Sequence, residues 1–208
     1  MNNLISIIIP TYNRKNKLKI AIESILEQNY LEWEAIVIDN YSRDGTEEMI
    51  KKFNNPKIKF YKFMNNGVIA SSRNFAIRKS KGKLLAFLDS DDWWTKDKLY
   101  YSNFHFNEGY KFIYHDMRIK KKGQLFTRKI GYCRNLLGNQ FEDLNENGPA
   151  FATSSVVIEK KLFAKVNFFQ EHKKYISWED FDAWLRTAKI YNNFYKIDQS
   201  LGFINIDD

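Results

Sequence analysis

The stretch "KLLAFLDSDDWW", Lys83 to Trp94, runs from an apolar segment into three carboxylates and two indoles. Its first half is the pattern of a strand covered on both faces. Its second half, Asp89, Ser90, Asp91 and Asp92, cannot fold inward, because burying unpaired carboxylates costs several kcal/mol each. Something positive meets them: a lysine, a helix end or a metal ion. A covered strand that ends in charge belongs to an open α/β sheet, where ligands bind outside the carboxyl ends of the strands.

Upstream, strand and helix alternate. "LISIIIP" is a nearly continuous β-branched apolar run and makes a first strand. Beyond "TYNRKN", Leu18, Ile22, Ile25 and Leu26 recur at helical spacing, and "WEAIVID" is strand-like again, which completes a βαβ unit. "SRDGTEEMIKKF" supplies a turn, an N-cap at Asp44 or Thr46 and a helix; "KIKFYKF" is a third strand. "NNGVIASSRNFAIRKSKG" is a helix closed near Gly82 that delivers the chain into the Lys83 strand. The alternation predicts a parallel, doubly wound sheet in the first half.

Downstream the order loosens. "TKDKLYYSNFHF" is a further helix, and "YKFIYHDMRIKKKGQLF" reads as two strands around a Gly-containing turn at Lys122 to Gln124. "GPAFATSSVVIEK" reads as another strand. "WEDFDAWLRTAKIY" is a helix with Phe181, Trp184, Leu185 and Ala188 on its apolar stripe, and "FYKIDQSLGFINID" ends in short strands. There is no internal repeat and no Pro/Ser-rich linker.

Composition bounds the function classes. A chain of 208 residues holds one α/β domain with a full core. With 44% hydrophobic and 28% charged residues it is neither disordered nor fibrous, and no apolar run approaches the ~18 residues of a membrane span. "MNNLISIIIPTYNR" has no basic leader or small-residue cleavage site, so no signal peptide is expected. The single cysteine, Cys133, leaves no intramolecular disulfide, and a reducing cytoplasm fits. The formal net charge of +8 favours an anionic partner. Its basic residues are dispersed without a nucleic-acid motif, so nucleic acid is not expected, while peripheral contact with an anionic membrane stays open.

Three loops should converge on one crevice, because Pro10 to Asn13, Asp39 and Asn40, and Asp89 to Asp92 all stand at strand carboxyl ends. Asp89 and Asp91 are two apart, so an extended backbone turns both carboxylates to one side. Paired oxygens of this kind suit Mg²⁺ or Mn²⁺. Taken alone, the acidic turn reads better as a cap for a helix beginning near Thr95, with lysines as partners.

The ordered strings "SIIIPTYNR", "VIDNYSRDGT", "SSRNFAI", "FLDSDDWW", "FFQE" and "WEDFDAWLR" resemble the inverting family-2 glycosyltransferases of GT-A fold, over nearly the whole chain. The resemblance implies one GT-A domain over residues 1–208, mostly parallel and doubly wound, with antiparallel strands in a C-terminal acceptor-side part. Residues 1–95 would be the nucleotide-sugar half and 96–208 the acceptor half. It implies that Pro10, Thr11 and Tyr12 hold the base, with Tyr12 against a uracil face, that Asn13 belongs to the nucleotide-sugar site, and that one side chain of the pair Asp39 and Asn40 takes the uracil N3–H. Many relatives have two acids there followed by Gly, where this chain has Asn40 and Tyr41, so uridine is favoured rather than fixed. Arg73 would approach the base and phosphates, Asp89 would hold the ribose hydroxyls, and Ser90 would belong to the same nucleotide-sugar site. Asp91 and Asp89 would ligate Mn²⁺ or Mg²⁺, with Asp92 behind them.

The resemblance also places a Glu-Asp pair, Glu179 and Asp180, at the head of a helix, where Asp180 takes the proton from the acceptor hydroxyl. Read from the residues alone, Ser177 and Asp180 are spaced like a variant capping box and Asp182 and Arg186 like an i,i+4 pair. His115 reads as a structural strand histidine, with Asp116 beside it on the acceptor side. The implied reaction moves a hexose or N-acetylhexosamine from a UDP-sugar to a glycan or lipid-linked acceptor, as in bacterial surface polysaccharide or lipooligosaccharide assembly. A sugar-phosphate nucleotidylyltransferase would need a Gly-rich loop after the first strand, and "PTYNRKN" has no glycine; an NAD-dependent oxidoreductase would need G-x-G-x-x-G. A nucleotide-sugar-binding module without catalysis is the alternative of a different class.

Overall fold

The computed structural model describes residues 1–120 and 133–205. In chain order the elements are β1 (Ile5–Thr11), α1 (Lys15–Leu26), β2 (Trp33–Asp39), α2 (Thr46–Lys52), β3 (Ile58–Lys62), α3 (Ile69–Lys79), β4 (Leu84–Phe87), β5 (Trp93–Trp94), α4 (Lys98–Asn107), β6 (Phe112–Lys120), α5 (Gln140–Asn147), β7 (Val157–Glu159), α6 (Lys160–Ala164), α7 (Glu179–Ile190) and β8 (Phe194–Asn205). The described strands form one sheet in the order β3-β2-β1-β4-β7-β6-β8-β5. β1 to β4 are parallel, as the alternation predicts. β7 runs antiparallel to β4 and β6, and β5 antiparallel to β8, so the second part of the sheet is mixed.

Both faces of the sheet are covered, which is why β1 and β2 read as continuous apolar runs. Ile5, Ile7 and Ile9 pack with Leu18, Ile22 and Ile25 of α1; Ile8, Ile36 and Ile38 turn the other way, into a core with Ala76 and Ile77 of α3 and Trp184 of α7. Each fully buried aliphatic side chain contributes roughly 1.5–3 kcal/mol. The register of the parallel strands carries Thr11, Asp39 and Lys62 to the same edge, and the end of β4 lies beside them.

Several elements depart from the reading of the sequence. α3 ends at Ser80, whose backbone is extended, and not at Gly82. Gly82 answers a different need: a Cβ there would stand 2.6 Å from the backbone nitrogen of Ser6 in β1. In "GPAFATSSVVIEK" only Val157–Glu159 is strand; Thr153–Ser155 forms one turn of 3₁₀ helix. Ser and Thr side chains there bond nearby groups in place of a ladder. The terminal short strands are one twelve-residue strand, β8, bulged against β6 between His115 and Met117. α5 and α6 were not anticipated: the first depends on the Asn139 side chain, which accepts from Phe141 N and Glu142 N, and the second is five residues long. On α7 the buried stripe is Ala183, Trp184, Thr187 and Ala188, with Phe181 and Leu185 on its flank. The expected turn at Lys122 to Gln124 lies outside the described residues. Among these residues no helix is long and apolar enough to cross a membrane.

Candidate active site

A cleft of ≈ 420 Å³ opens at the carboxyl edge of the sheet. It is lined by six residues of the expected crevice, Pro10, Thr11, Tyr12, Asp89, Ser90 and Asp91, together with Arg14, Asn65, Gly67 and Ile69. Tyr12 is 55% exposed, so its ring is free to stack on a planar ligand. Asp39, Asn40 and Asn13, expected in the same crevice, are not among the residues that line it. Asp39 is buried and accepts from the Ser42 backbone nitrogen at 3.0 Å and from the Ser42 hydroxyl, an Asx-type turn. Asn40 Oδ1 accepts from Asn65 N at 3.1 Å, and its own N–H donates to Thr11 O. Asn13 has a left-handed backbone, φ 49°, and its Oδ1 accepts from Arg43 N at 2.9 Å. Hydrogen bonds thus tie the loop after β2 to the loop after β1 and to the loop after β3.

Two arginines meet the acidic stretch, for which the sequence offered a lysine, a helix end or a metal ion. Arg14 pairs with Asp91 across the mouth of the cleft. Arg73, on α3 and 4% exposed, donates from Nη2 to Asp89 Oδ1 at 2.8 Å and from Nη1 to Glu179 Oε1 at 2.9 Å. Burial works against the charged guanidinium, and the fields of Asp89, Asp180 and Glu179 outweigh it. Asp92 turns the other way. It is buried, accepts from Ser154 Oγ at 2.5 Å and from Asn205 N at 3.4 Å, and burial beside Asp89 and Asp91 pushes its carboxyl up to about 8. Among the described residues no group of three or more His, Cys, Asp or Glu could hold a metal ion. The hard oxygen donors on the cleft wall are Asp89 and Asp91, with Asp92 facing the interior.

Asp180 stands in the first turn of α7. Its Oδ2 accepts from Thr153 Oγ1 at 2.7 Å and its Oδ1 from the Phe181 N–H at 2.7 Å. It borders a second cavity, of ≈ 260 Å³, walled by Pro149, Phe151, Trp178 and Phe181. Glu179 is buried, with Oε1 held by Arg73 and no hydrogen-bond partner for Oε2 among the described residues. Arg73 therefore joins the wall of the first cavity to the residue beside Asp180. Ser177 does not cap α7: its backbone is left-handed, φ 68°, and the N-cap is Trp178, without a side-chain cap. Asp182 and Arg186 form the expected i,i+4 pair at 2.7 Å. His115 is fully buried, with Nδ1 2.9 Å from Asp116 O, and burial pushes it down to about 3, so it is neutral. Asp116 pairs with Lys196 at 3.0 Å.

Arg14, Asn65, Gly67 and Ile69 were not anticipated in the cleft. The signal for the middle two lay in "NNG" directly after a strand, a turn sequence at the carboxyl edge where ligands bind. Arg14 stood in "PTYNR" beside residues already singled out. Thr153 was part of a segment read as strand.

Known proteins share this chain's sequence and architecture. The family model "Glycosyl transferase family 2" matches residues 6–164. TuaG of Bacillus subtilis (strain 168), a glycosyltransferase provisionally assigned to teichuronic acid biosynthesis, is 37% identical over 98 residues, 46% of this chain and 39% of TuaG. WfgD of Escherichia coli, a UDP-Glc:alpha-D-GlcNAc-diphosphoundecaprenol beta-1,3-glucosyltransferase, is 30% identical over 91% of this chain and 71% of its own length. In fold, the chain superposes on Staphylococcus aureus TarS 1-349, solved with UDP-GlcNAc, at a TM-score of 0.79 and 21% identity, covering 99% of this chain and 59% of that one. By the extent of the family match and by its GT-A architecture, the chain belongs to glycosyl transferase family 2.

Proposed function

We propose that this chain transfers a hexose or N-acetylhexosamine, with inversion, from a UDP-sugar to a hydroxyl of a glycan or lipid-linked glycan in the assembly of bacterial surface polysaccharide. The observation that carries the reading is the Arg73 bridge, which ties Asp89 of the donor-sized cleft to Glu179 beside Asp180. WfgD, whose name specifies UDP-Glc and a diphosphoundecaprenol-linked acceptor, supports the donor and acceptor classes. Residues 1–95 form the donor half and 96–208 the acceptor half.

In this reading Tyr12 lies against the uracil, Pro10 and Thr11 form the floor of the base pocket, and Asn40 offers a remaining lone pair to N3–H. Asp89 and Ser90 take the ribose hydroxyls. Asp91 and Asp89 would hold a hard divalent cation, their oxygens being suitable donors and the Arg14 pair on Asp91 exposed and exchangeable. Bound there, Mn²⁺ or Mg²⁺ would neutralise charge growing on the diphosphate.

Asp180 accepts the acceptor's hydroxyl proton while that oxygen bonds to the anomeric carbon. The bond from that carbon to the diphosphate oxygen breaks, and UDP departs with the electron pair. A sugar hydroxyl is too weak an acid to ionise first, so a carboxylate suffices when the proton moves late. Single displacement from the opposite face inverts configuration. Arg73, charged and buried, pairs with both Glu179 and Asp89. The net charge of +8 favours a peripheral position against anionic lipid at the inner face of the cell membrane.

Isothermal titration with UDP, with and without Mn²⁺, tests this reading. The wild-type protein should bind UDP more tightly with Mn²⁺, and Asp91→Ala should lose that increment of roughly tenfold or more. UDP affinity indifferent to Mn²⁺ in both proteins defeats the metal assignment; no UDP binding at all defeats the donor assignment.

A further inference from the structure

The 3₁₀ turn Thr153–Ser155 sits between the two cavities and bonds to both sides. On one side Ser154 Oγ accepts from Asp89 N at 3.1 Å and donates to Asp92 Oδ2, while Ser154 O accepts from Trp94 Nε1 at 2.8 Å. On the other side Thr153 Oγ1 donates to Asp180 Oδ2 at 2.7 Å. The turn is itself closed by Ser155 N and Ser155 Oγ, both donating to Ala152 O, and by Val156 N donating to Thr153 O. All three residues are buried, with Thr153 4% exposed. Neighbouring residues of one rigid turn therefore hold the loop of Asp89 and the carboxylate of Asp180.

We infer that Thr153 is a positioning residue for Asp180: it fixes the carboxylate's rotation and its distance from the donor loop, so that a free lone pair faces the acceptor hydroxyl. The inference rests on the reading of Asp180 as the base. Asp180 Oδ1 is already engaged by its own helix through Phe181 N. The Thr153 hydroxyl engages the second oxygen, so the group has one orientation. Without it, a carboxylate on the first turn of a helix, at the rim of an open cavity, regains its terminal rotation, which is broad for an Asp side chain. Loss of alignment at a reacting group is costly even when no contact with substrate is lost. The donor contacts lie on other loops, so the cost falls on turnover and not on donor binding.

The test uses Thr153→Val, which keeps the branched shape and removes the donor, and Thr153→Ser, which keeps the donor and removes a methyl. UDP release from a UDP-sugar with water as acceptor is the readout, with the sugar chosen by screening the wild-type protein; UDP affinity and melting temperature are measured alongside. Thr153→Val should lower kcat about tenfold to a hundredfold, with KM for the UDP-sugar and Kd for UDP unchanged, and Thr153→Ser should restore most of the rate. Wild-type turnover by Thr153→Val overturns the inference. So does an equal loss in the Val and Ser variants matched by equal losses of melting temperature, which would make Thr153 a packing residue. Asp180→Asn is run in parallel: if it turns over normally, the base assignment beneath the inference falls, whereas a normal Thr153→Val beside a dead Asp180→Asn removes Thr153 alone.

Discussion

Asp92 shows how the same short stretch can serve two environments. Its neighbours Asp89 and Asp91 line the cleft, while its own side chain is buried against Ser154 and the backbone of Asn205. Desolvation, with Asp89 and Asp91 nearby, raises its carboxyl to about 8. The native state therefore binds a proton that the unfolded chain has released above its ordinary carboxylate range near 4. Stability contributed by this group falls as pH rises from about 4 to about 8, and no further loss follows above that window. Asp92→Asn keeps the shape, an acceptor for Asn205 and a polar partner for Ser154. Its melting temperature should exceed that of the wild type by a margin that grows between pH 5 and pH 8.5, read by circular dichroism. A margin independent of pH would mean that Asp92 is ionised in the fold. Three carboxylates in four residues were legible as a cluster needing compensation. Which one turns inward was not, because that choice depends on Ser154, 62 residues away.

At the scale of elements, Arg73 carries α3 into contact with the end of β4 and the start of α7. Replacing it by Met leaves Glu179 buried and unpaired beside Asp89, and breaking a buried pair from one side costs about 3–5 kcal/mol. Arg73→Met should therefore lower the urea midpoint markedly, and Arg73→Lys should recover only part of it, since an ammonium cannot reach two carboxylates at once. Unchanged midpoints would show that the bridge is not formed in solution. The elements joined here differ in how far the sequence discloses them. β1, β2 and β4 are rich in Ile, Val, Leu and Ala because helices cover both faces, and a mostly apolar run is unambiguous when turns bound it. β8 was read as fragments because the bulge against β6 interrupts its pattern. The Thr153 turn looked like strand because β-branched residues follow it; its geometry comes from hydroxyls bonding backward and sideways, which leaves no periodic trace.

Over the whole molecule, a parallel half sets loops from β1, β2 and β4 at one edge, and a mixed half brings the 3₁₀ turn and α7 to the same place. The crevice was foreseeable from strand ends alone, since parallel strands deliver every carboxyl end to one side. The pairing of that crevice with Asp180 was foreseeable only through the family resemblance: Thr153 and Asp180 are 27 residues apart and Arg73 and Glu179 are 106 apart, so no local spacing relates them. The central claim is that the two halves together make an inverting UDP-sugar transferase with Asp180 as its base. Its most direct test is the initial rate of UDP release from a panel of UDP-sugars, for the wild-type protein and for Asp180→Asn, each shown by titration to bind UDP. The account predicts release from at least one UDP-sugar by the wild-type protein and a loss of at least about a hundredfold in the variant, with UDP affinity unchanged. Equal release by both proteins, or none by a wild-type protein that binds UDP, would contradict it.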